Sequence, residues 1–183
     1  ATNINDILER VINTGEYKPS EVKPSLSPSM DVQISSNFER LLFYVLNEDD
    51  KKVSSLMHEL KSKGSFSLNK EQISIIQKDF AAKRINDKET IKIIQKFSKD
   101  HNFILDPHTA TAVGASKVIE DGSEILILGT AHPYKFLETI KMATSQEVTT
   151  PKQIEHLMHK EEKYDILENK ISDIKNYILG KLS

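Results

Sequence analysis

The sequence predicts an α/β protein that is mostly helical, with few strands and an incomplete sheet. Three observations predict it. Glu124-Ile125-Leu126-Ile127-Leu128 is an aliphatic run closed by Gly129, the pattern of a central strand buried on both faces. Apolar residues at spacings of three and four fill much of the remaining chain, the mark of amphipathic helices. No second run of comparable strength supplies the neighbours that a parallel strand demands. A lone central strand among helices implies that the rest of its sheet lies outside this sequence, or in signals too weak to read.

Taken in order, Ile7, Leu8, Val11 and Ile12 share one face of a short helix from about Asp6 to Thr14, with Gly15 as its stop. Pro19, Pro24 and Pro28 make residues 16–29 an irregular connection. Phe38, Leu41, Leu42, Val45 and Leu46 define the next helix, and Ser36 with Glu39 has the spacing of a capping box. Val53, Leu56, Met57 and Leu60 give another, ending at Lys63-Gly64. Asn69 with Gln72 opens a helix bearing Ile73, Ile75 and Ile76, and Asn86 with Glu89 opens one bearing Ile91, Ile94 and Phe97, or Ile93. Between these two, Phe80 to Ile85 reads as a short strand or a loop. Asp106-Pro107 is an N-cap followed by proline at the first helical position. The small residues Ala110, Ala112, Gly114 and Ala115 predict a helix pressed against a sheet. After the central strand, Pro133 starts a helix with Phe136, Leu137 and Ile140, and Thr150-Pro151 with Gln153 starts another. Tyr164, Leu167, Ile171, Ile174 and Ile178 form a seam of a final helix, expected to dock on its own domain rather than to dimerise.

The bulk numbers bound the function classes. With 183 residues and a net charge of −2, the chain has core enough for one domain and an appendage, and no electrostatic footprint for nucleic acid. The basic residues are nearly all Lys, Arg10, Arg40 and Arg84 excepted, and read as solvated surface. No apolar stretch approaches membrane-spanning length, and the first residues do not read as a signal peptide. The absence of cysteine excludes disulfides, thiolate catalysis and Cys-based zinc sites, and agrees with a cytoplasmic location. The chain opens on Ala1-Thr2-Asn3 without an initiator Met, so either Met was removed or this is a piece of something longer.

Three clusters carry chemistry-bearing side chains. Asp106, His108 and His132 are candidate ligands of a divalent ion, against which Asp106 already serves as N-cap and no HExxH-like pair fixes two ligands on one face. Ser27-Pro28-Ser29-Met30-Asp31, Gln33 and Ser35-Ser36-Asn37 precede a helix start, which suits either anion binding or plain turn formation. Thr2, Asn3, Asn5 and Asp6 stand at another helix start with the same two readings. In Gly129-Thr130-Ala131-His132-Pro133, a hydroxyl and an open backbone stand at the carboxyl end of the strand, where open α/β sheets bind ligands; alone, the segment reads equally well as a turn. P-loop, GxGxxG and nucleophile-elbow motifs are all lacking, so a self-sufficient enzyme is hard to assemble from these parts.

Five segments in register, Ala1-Thr2-Asn3-Ile4-Asn5-Asp6, Ser27-Pro28-Ser29-Met30-Asp31-Val32, Ser36-Asn37-Phe38-Glu39-Arg40-Leu41, Asp106-Pro107-His108-Thr109-Ala110 and Gly129-Thr130-Ala131-His132-Pro133, closely resemble the C-terminal part of the threonine synthases. That family comprises pyridoxal-phosphate enzymes of the tryptophan-synthase-β-like fold, fold type II. The resemblance fades over Val53 to Ser98 and after Val148. It implies that residues 1–150 are the C-terminal part of the large cofactor-binding domain, with a helical insertion at about 50–100, and that 151–183 form a C-terminal helical extension.

The implied reaction is conversion of O-phosphohomoserine and water to threonine and phosphate, with pyridoxal 5'-phosphate as cofactor. Thr130 matches the hydroxyl residue that meets the pyridine nitrogen, with Gly129 and Ala131 as close-approach backbone. Asn5, Asp31, Asn37 and His132 line or support the substrate pocket, or serve as caps. No catalytic residue is assigned here, because the family's Schiff-base lysine and Gly-rich phosphate loop lie upstream of the matching segment. The implied partners are an N-terminal half, in the same polypeptide or a separate chain, and a small-molecule substrate; neither nucleic acid nor membrane is expected, and apolar sheet surface left exposed predicts either homo-oligomerisation or poor solubility. By itself the chain is expected to be inactive. The alternatives are a non-catalytic interaction module left from a decayed enzyme and, more distantly, the metal hydrolase.

Overall fold

The computed structural model describes residues 1–157 and 160–182. They form two compact units, Ala1–Thr149 and Thr150–Ser183. The class is the expected one: nine helices among the described residues, and one sheet of two short strands.

In the first unit, α1 (Ile7–Thr14) leads into β1 (Glu16–Tyr17), which pairs antiparallel with β2 (Phe66–Ser67). Around this hairpin-like pair stand α2 (Phe38–Val45), α3 (Asp50–Lys63) and α4 (Lys70–Asp79). Their apolar faces meet in one core of Ile7, Val11, Tyr17, Phe38, Leu42, Val45, Leu46, Phe66, Leu68 and Ile76. A second core joins α5 (Asp87–His101), α6 (Pro107–Ala115) and α7 (Leu137–Thr144) through Ile94, Leu105, Ala110, Ile140 and Ala143. The local signals for helix ends hold at most sites. Asn69–Gln72 and Asn86–Glu89 both close as reciprocal capping boxes, and Gly15 and Gly64 end their helices in the left-handed conformation.

Several expectations are corrected. Residues 124–128 are not a paired strand: no strand among the described residues lies beside them, and Leu126 and Leu128 are 88% and 71% exposed. The aliphatic content marks a face to be covered, and nothing described in this chain covers it. Ser36 and Glu39 do not form a capping box. The Phe38 N–H bonds back to the Ser35 carbonyl and Asn37 is already αR, so α2 begins from a tight turn and no extended cap residue exists. The small-residue face of α6 meets α5 and its approach rather than a sheet: a Cβ on Gly114 would stand 2.5 Å from Ile93 Cδ1 and 3.0 Å from Ile85 Cδ1. Phe80 to Ile85 is a loop apart from one parallel bridge between Arg84 and Thr2.

In the second unit, α8 (Lys152–Glu155) is one short turn with Pro151 at its cap position, not Thr150. The seam from Tyr164 to Ile178 is helical only within α9 (Ile171–Leu182). Tyr164 and Leu167 precede that helix in irregular chain, where Asp165 accepts from the Tyr177 hydroxyl and pairs with Lys181 at 3.6 Å. No helix among the described residues is long and apolar enough to cross a membrane.

Two tests follow from these contacts. Gly15 and Gly64 have nearly the same backbone, φ +80° and +78°, but a Cβ on Gly15 would meet Ile73 Cδ1 at 2.4 Å and Leu68 O at 2.9 Å, while one on Gly64 meets nothing within 4 Å. Gly64→Ala is expected to cost only the left-handed penalty of about 1–2 kcal/mol, and Gly15→Ala distinctly more, measured by urea unfolding. Equal losses would remove the steric account. The Tyr17 hydroxyl accepts the Ser35 N–H at 2.8 Å while its ring stacks on Phe66 and Phe38. Burial pushes this phenol above its usual value, opposed by the Ser35 bond and assisted by the Glu39 charge. A raised value means that the folded state holds the proton more tightly. Its contribution is therefore complete below the unfolded value near about 10 and is lost as pH rises through the folded value. Tyr17→Phe should cost about 1 kcal/mol at neutral pH and flatten the alkaline fall in stability; an unchanged alkaline slope would assign that fall to other groups.

Candidate functional site

Three of the five sequence segments converge on the first turn of α6. Asp106 has extended backbone, and its carboxylate, 2% exposed, accepts the N–H groups of His108 at 2.9 Å and Thr109 at 3.3 Å and the Thr109 hydroxyl. Such a carboxylate satisfies the orphan donors of the helix and faces the positive end of its dipole. The same Oδ1 lies 3.1 Å from His108 Nδ1. On its other side, His108 Nε2 accepts the backbone N–H of Ser29 at 3.2 Å. The His108 ring meets the Phe136 ring, centroids 4.9 Å apart. Next along, Gly129 comes close to Thr109: a Cβ there would stand 4.0 Å from its Oγ1.

These contacts build an open groove of about 680 Å³. Ser29, Met30, His108, Ala112 of α6, residues 125–128 and Thr130 are among the residues that line it. Its wall is largely aliphatic. Thr130 is exposed, and among the described residues its hydroxyl makes no hydrogen bond.

The other candidates fall elsewhere. Asn5 and Asp31 belong to a buried polar knot with Asn3, Ser25 and Ser27. Asp31 Oδ1 accepts from Asn3 Nδ2 at 2.7 Å, Asn5 Nδ2 at 2.9 Å and Ser25 Oγ at 2.6 Å, and Oδ2 accepts the Ser25 N–H at 3.0 Å. Asn5 Oδ1 in turn accepts the Lys23 N–H at 2.8 Å. The knot fastens the start of the chain to residues 23–31 and uses up the groups that an anion would need. Asn37 is exposed and accepts from Arg40 at 2.8 Å. His132 is exposed; its Nδ1 accepts the Tyr134 N–H at 3.1 Å and so caps the 3-10 turn Pro133–Phe136. Ala131 is half-buried beside Thr130. The structure thus brings Thr130 together with Ser29, Met30 and His108, and Asn5 with Asp31, but not these two groups with Asn37 or His132.

The metal reading loses its ligands. Both His108 nitrogens are engaged, His132 Nδ1 caps a turn, and among the described residues no group of three His, Asp or Glu side chains stands ready to hold an ion. Sequence reasoning placed His108 only in that rival reading. Its link to Ser29 spans 79 residues and has no local signal; Asp106-Pro107-His108 announces the cap alone.

A pyridine ring fits part of this groove. An uncommitted hydroxyl beside an aliphatic wall suits a planar ring with one polar atom at its edge, and Gly129 leaves the backbone open for close approach. The other requirements are not met among the described residues, where no lysine lines the groove.

Comparison with known proteins places the chain in a family. Residues 109–178 match the model of the family described as threonine synthase, C-terminal. The threonine synthase of Pseudomonas aeruginosa is 34% identical over 181 residues, covering 97% of this chain and 39% of its own length. The crystal structure of threonine synthase from Brucella melitensis with pyridoxal phosphate bound superposes with a TM-score of 0.88 at 37% identity, over 97% of this chain and 39% of that one. The yeast threonine synthase structure gives 0.85 at 35% identity, over 100% and 41%. The chain therefore spans about two fifths of the length of these relatives. In sequence and in fold it belongs to the threonine synthase family, as the C-terminal part of a fold type II enzyme.

Proposed function

We propose that this chain forms the ring-nitrogen side of a pyridoxal-phosphate site, and that with an N-terminal portion it converts O-phosphohomoserine and water to threonine and phosphate. One observation carries the reading: the Thr130 hydroxyl, without a hydrogen bond among the described residues, stands in a largely aliphatic open groove that Ser29, Met30 and His108 also line. The cofactor, when bound, supplies the electron sink for carbanions at Cα and then Cβ of the substrate.

The chain's own residues set the conditions for that chemistry. Thr130 would hold the ring nitrogen of the bound cofactor through its hydroxyl. Being neutral, it leaves that nitrogen less fully protonated than a carboxylate would, which moderates electron withdrawal. Gly129 and Ala131 let the ring lie close to the backbone. Ile125, Leu126 and Leu128 exclude water once strands of the N-terminal portion cover them. Asn5 and Asp31 act at one remove, by holding residues 23–31 in place. Asn37 and His132, both exposed, are the two candidates with surface left to offer a substrate. The lysine and the phosphate cradle come from the N-terminal portion, so this chain alone does not turn over. The reaction belongs in the cytoplasm.

Two measurements test this. Mixing the chain with a polypeptide carrying the upstream part of the family sequence and pyridoxal phosphate should give a visible absorption band and phosphate release, with neither from either piece alone. A band formed by this chain alone at one lysine would overturn the division of labour, and no complex at all would favour a non-catalytic module. In the active assembly, Thr130→Val should lower kcat/KM about 3- to 10-fold, the worth of one neutral hydrogen bond. It should also shift the visible band. Activity and spectrum both unchanged would remove Thr130 from the ring nitrogen.

A further inference from the structure

His108 is a buried imidazole to which the proposed function gives no task. It lines the groove from the first turn of α6, and both of its nitrogens are engaged. A neutral imidazole has one donor and one acceptor. The Ser29 N–H points at Nε2 from 3.2 Å, so Nε2 must carry the lone pair and Nδ1 the proton. That proton faces Asp106 Oδ1 at 3.1 Å, and Asp106 is itself fixed by the amides that start α6. The ring face meets Phe136, in the 3-10 turn that follows Thr130 by three residues. One side chain thus links two segments: the Pro28–Met30 turn, whose Ser29 and Met30 line the groove, through a hydrogen bond, and the turn that follows Thr130 through a ring contact.

We infer that His108, held as its Nδ1–H tautomer by Asp106, is the positioning residue of the groove, setting the Pro28–Met30 turn at the separation from Thr130 that a bound ring requires. The inference rests on the reading of the groove as the ring site. His108 need not touch the ring; it acts through the Ser29 amide. Packing alone would ask only for a flat ring against Phe136, whereas positioning asks for an acceptor aimed at Ser29. Two substitutions separate these demands. His108→Phe keeps a ring and removes the acceptor, while His108→Gln gives up the ring and offers a carbonyl oxygen.

In this chain, His108→Phe should speed hydrogen exchange of the Ser29 amide about three- to tenfold relative to that of Ile94, the consequence of losing one neutral hydrogen bond. In the assembly with the N-terminal portion it should weaken pyridoxal phosphate binding by a similar factor, read from titration of the visible band. His108→Gln should restore both. Unchanged Ser29 exchange in His108→Phe, or a His108→Gln as impaired as His108→Phe, would reduce His108 to a packing residue. Long-range ¹H–¹⁵N correlation on the unsubstituted chain reads the tautomer without any variant: a proton on Nδ1 is expected, and one on Nε2 overturns the inference even if both variants fail to fold. The exchange and the tautomer need no cofactor. An assembly that binds no pyridoxal phosphate would therefore sink the groove reading and leave the hold of His108 on Ser29 separately decided.

Discussion

The carboxylate of Asp106 is the constraint around which the groove is organised. A buried negative charge without donors costs on the order of several kcal/mol, so wherever Asp106 is placed, donors must be brought to it. The chain brings four: two helix amides, the Thr109 hydroxyl and the His108 ring. All four stand on two residues, His108 and Thr109, that also contact something else. His108 reaches the Ser29 amide and Phe136, and Thr109 faces Gly129. Satisfying one charge therefore sets the relative placement of α6, the Pro28–Met30 turn and the Gly129–Thr130 segment.

What could be read from the sequence, and what could not, follows from the range of the interactions. Asn69–Gln72 and Asn86–Glu89 are self-contained over three residues, so the sequence contains both partners in view of each other, and both boxes close. Ser36–Glu39 has the same spacing and fails, because the turn from Ser35 puts Asn37 into helical backbone before any cap forms. The place of Thr130 beside an aliphatic groove was legible from its position after an aliphatic run. His108 was not, because its partner Ser29 is distant in sequence and its neighbour Asp106 had a sufficient local task as a cap.

Polar side chains near helix starts proved the least readable. Asn3, Asn5, Ser25, Ser27 and Asp31 have the composition of a binding site and are spent on one another. The reason is one of location: residues 18–27 are irregular backbone, and where such a segment passes under the chain start its amides and carbonyls need partners that no ladder supplies. Asn5 answers both a carbonyl and an amide of Lys23 at once. Such a knot supports a site by keeping its wall in place, and the same residue types would bind a ligand only if left unsatisfied.

The unpaired run at 124–128 ties the fold to the assembly. Its continuous aliphatic, partly β-branched content and its closing glycine specify a strand, yet a strand is a statement about two neighbours and the described residues supply neither. An exposed aliphatic edge of this kind is a pairing template that native proteins normally cover. Thr130 stands directly at its end. The element that completes the sheet and the element that completes the site must consequently approach the same place. An N-terminal portion that paired with residues 124–128 would bring its own loops to the mouth of the groove, where open sheets hold their ligands. Covering the strand and closing the groove would then be one structural event.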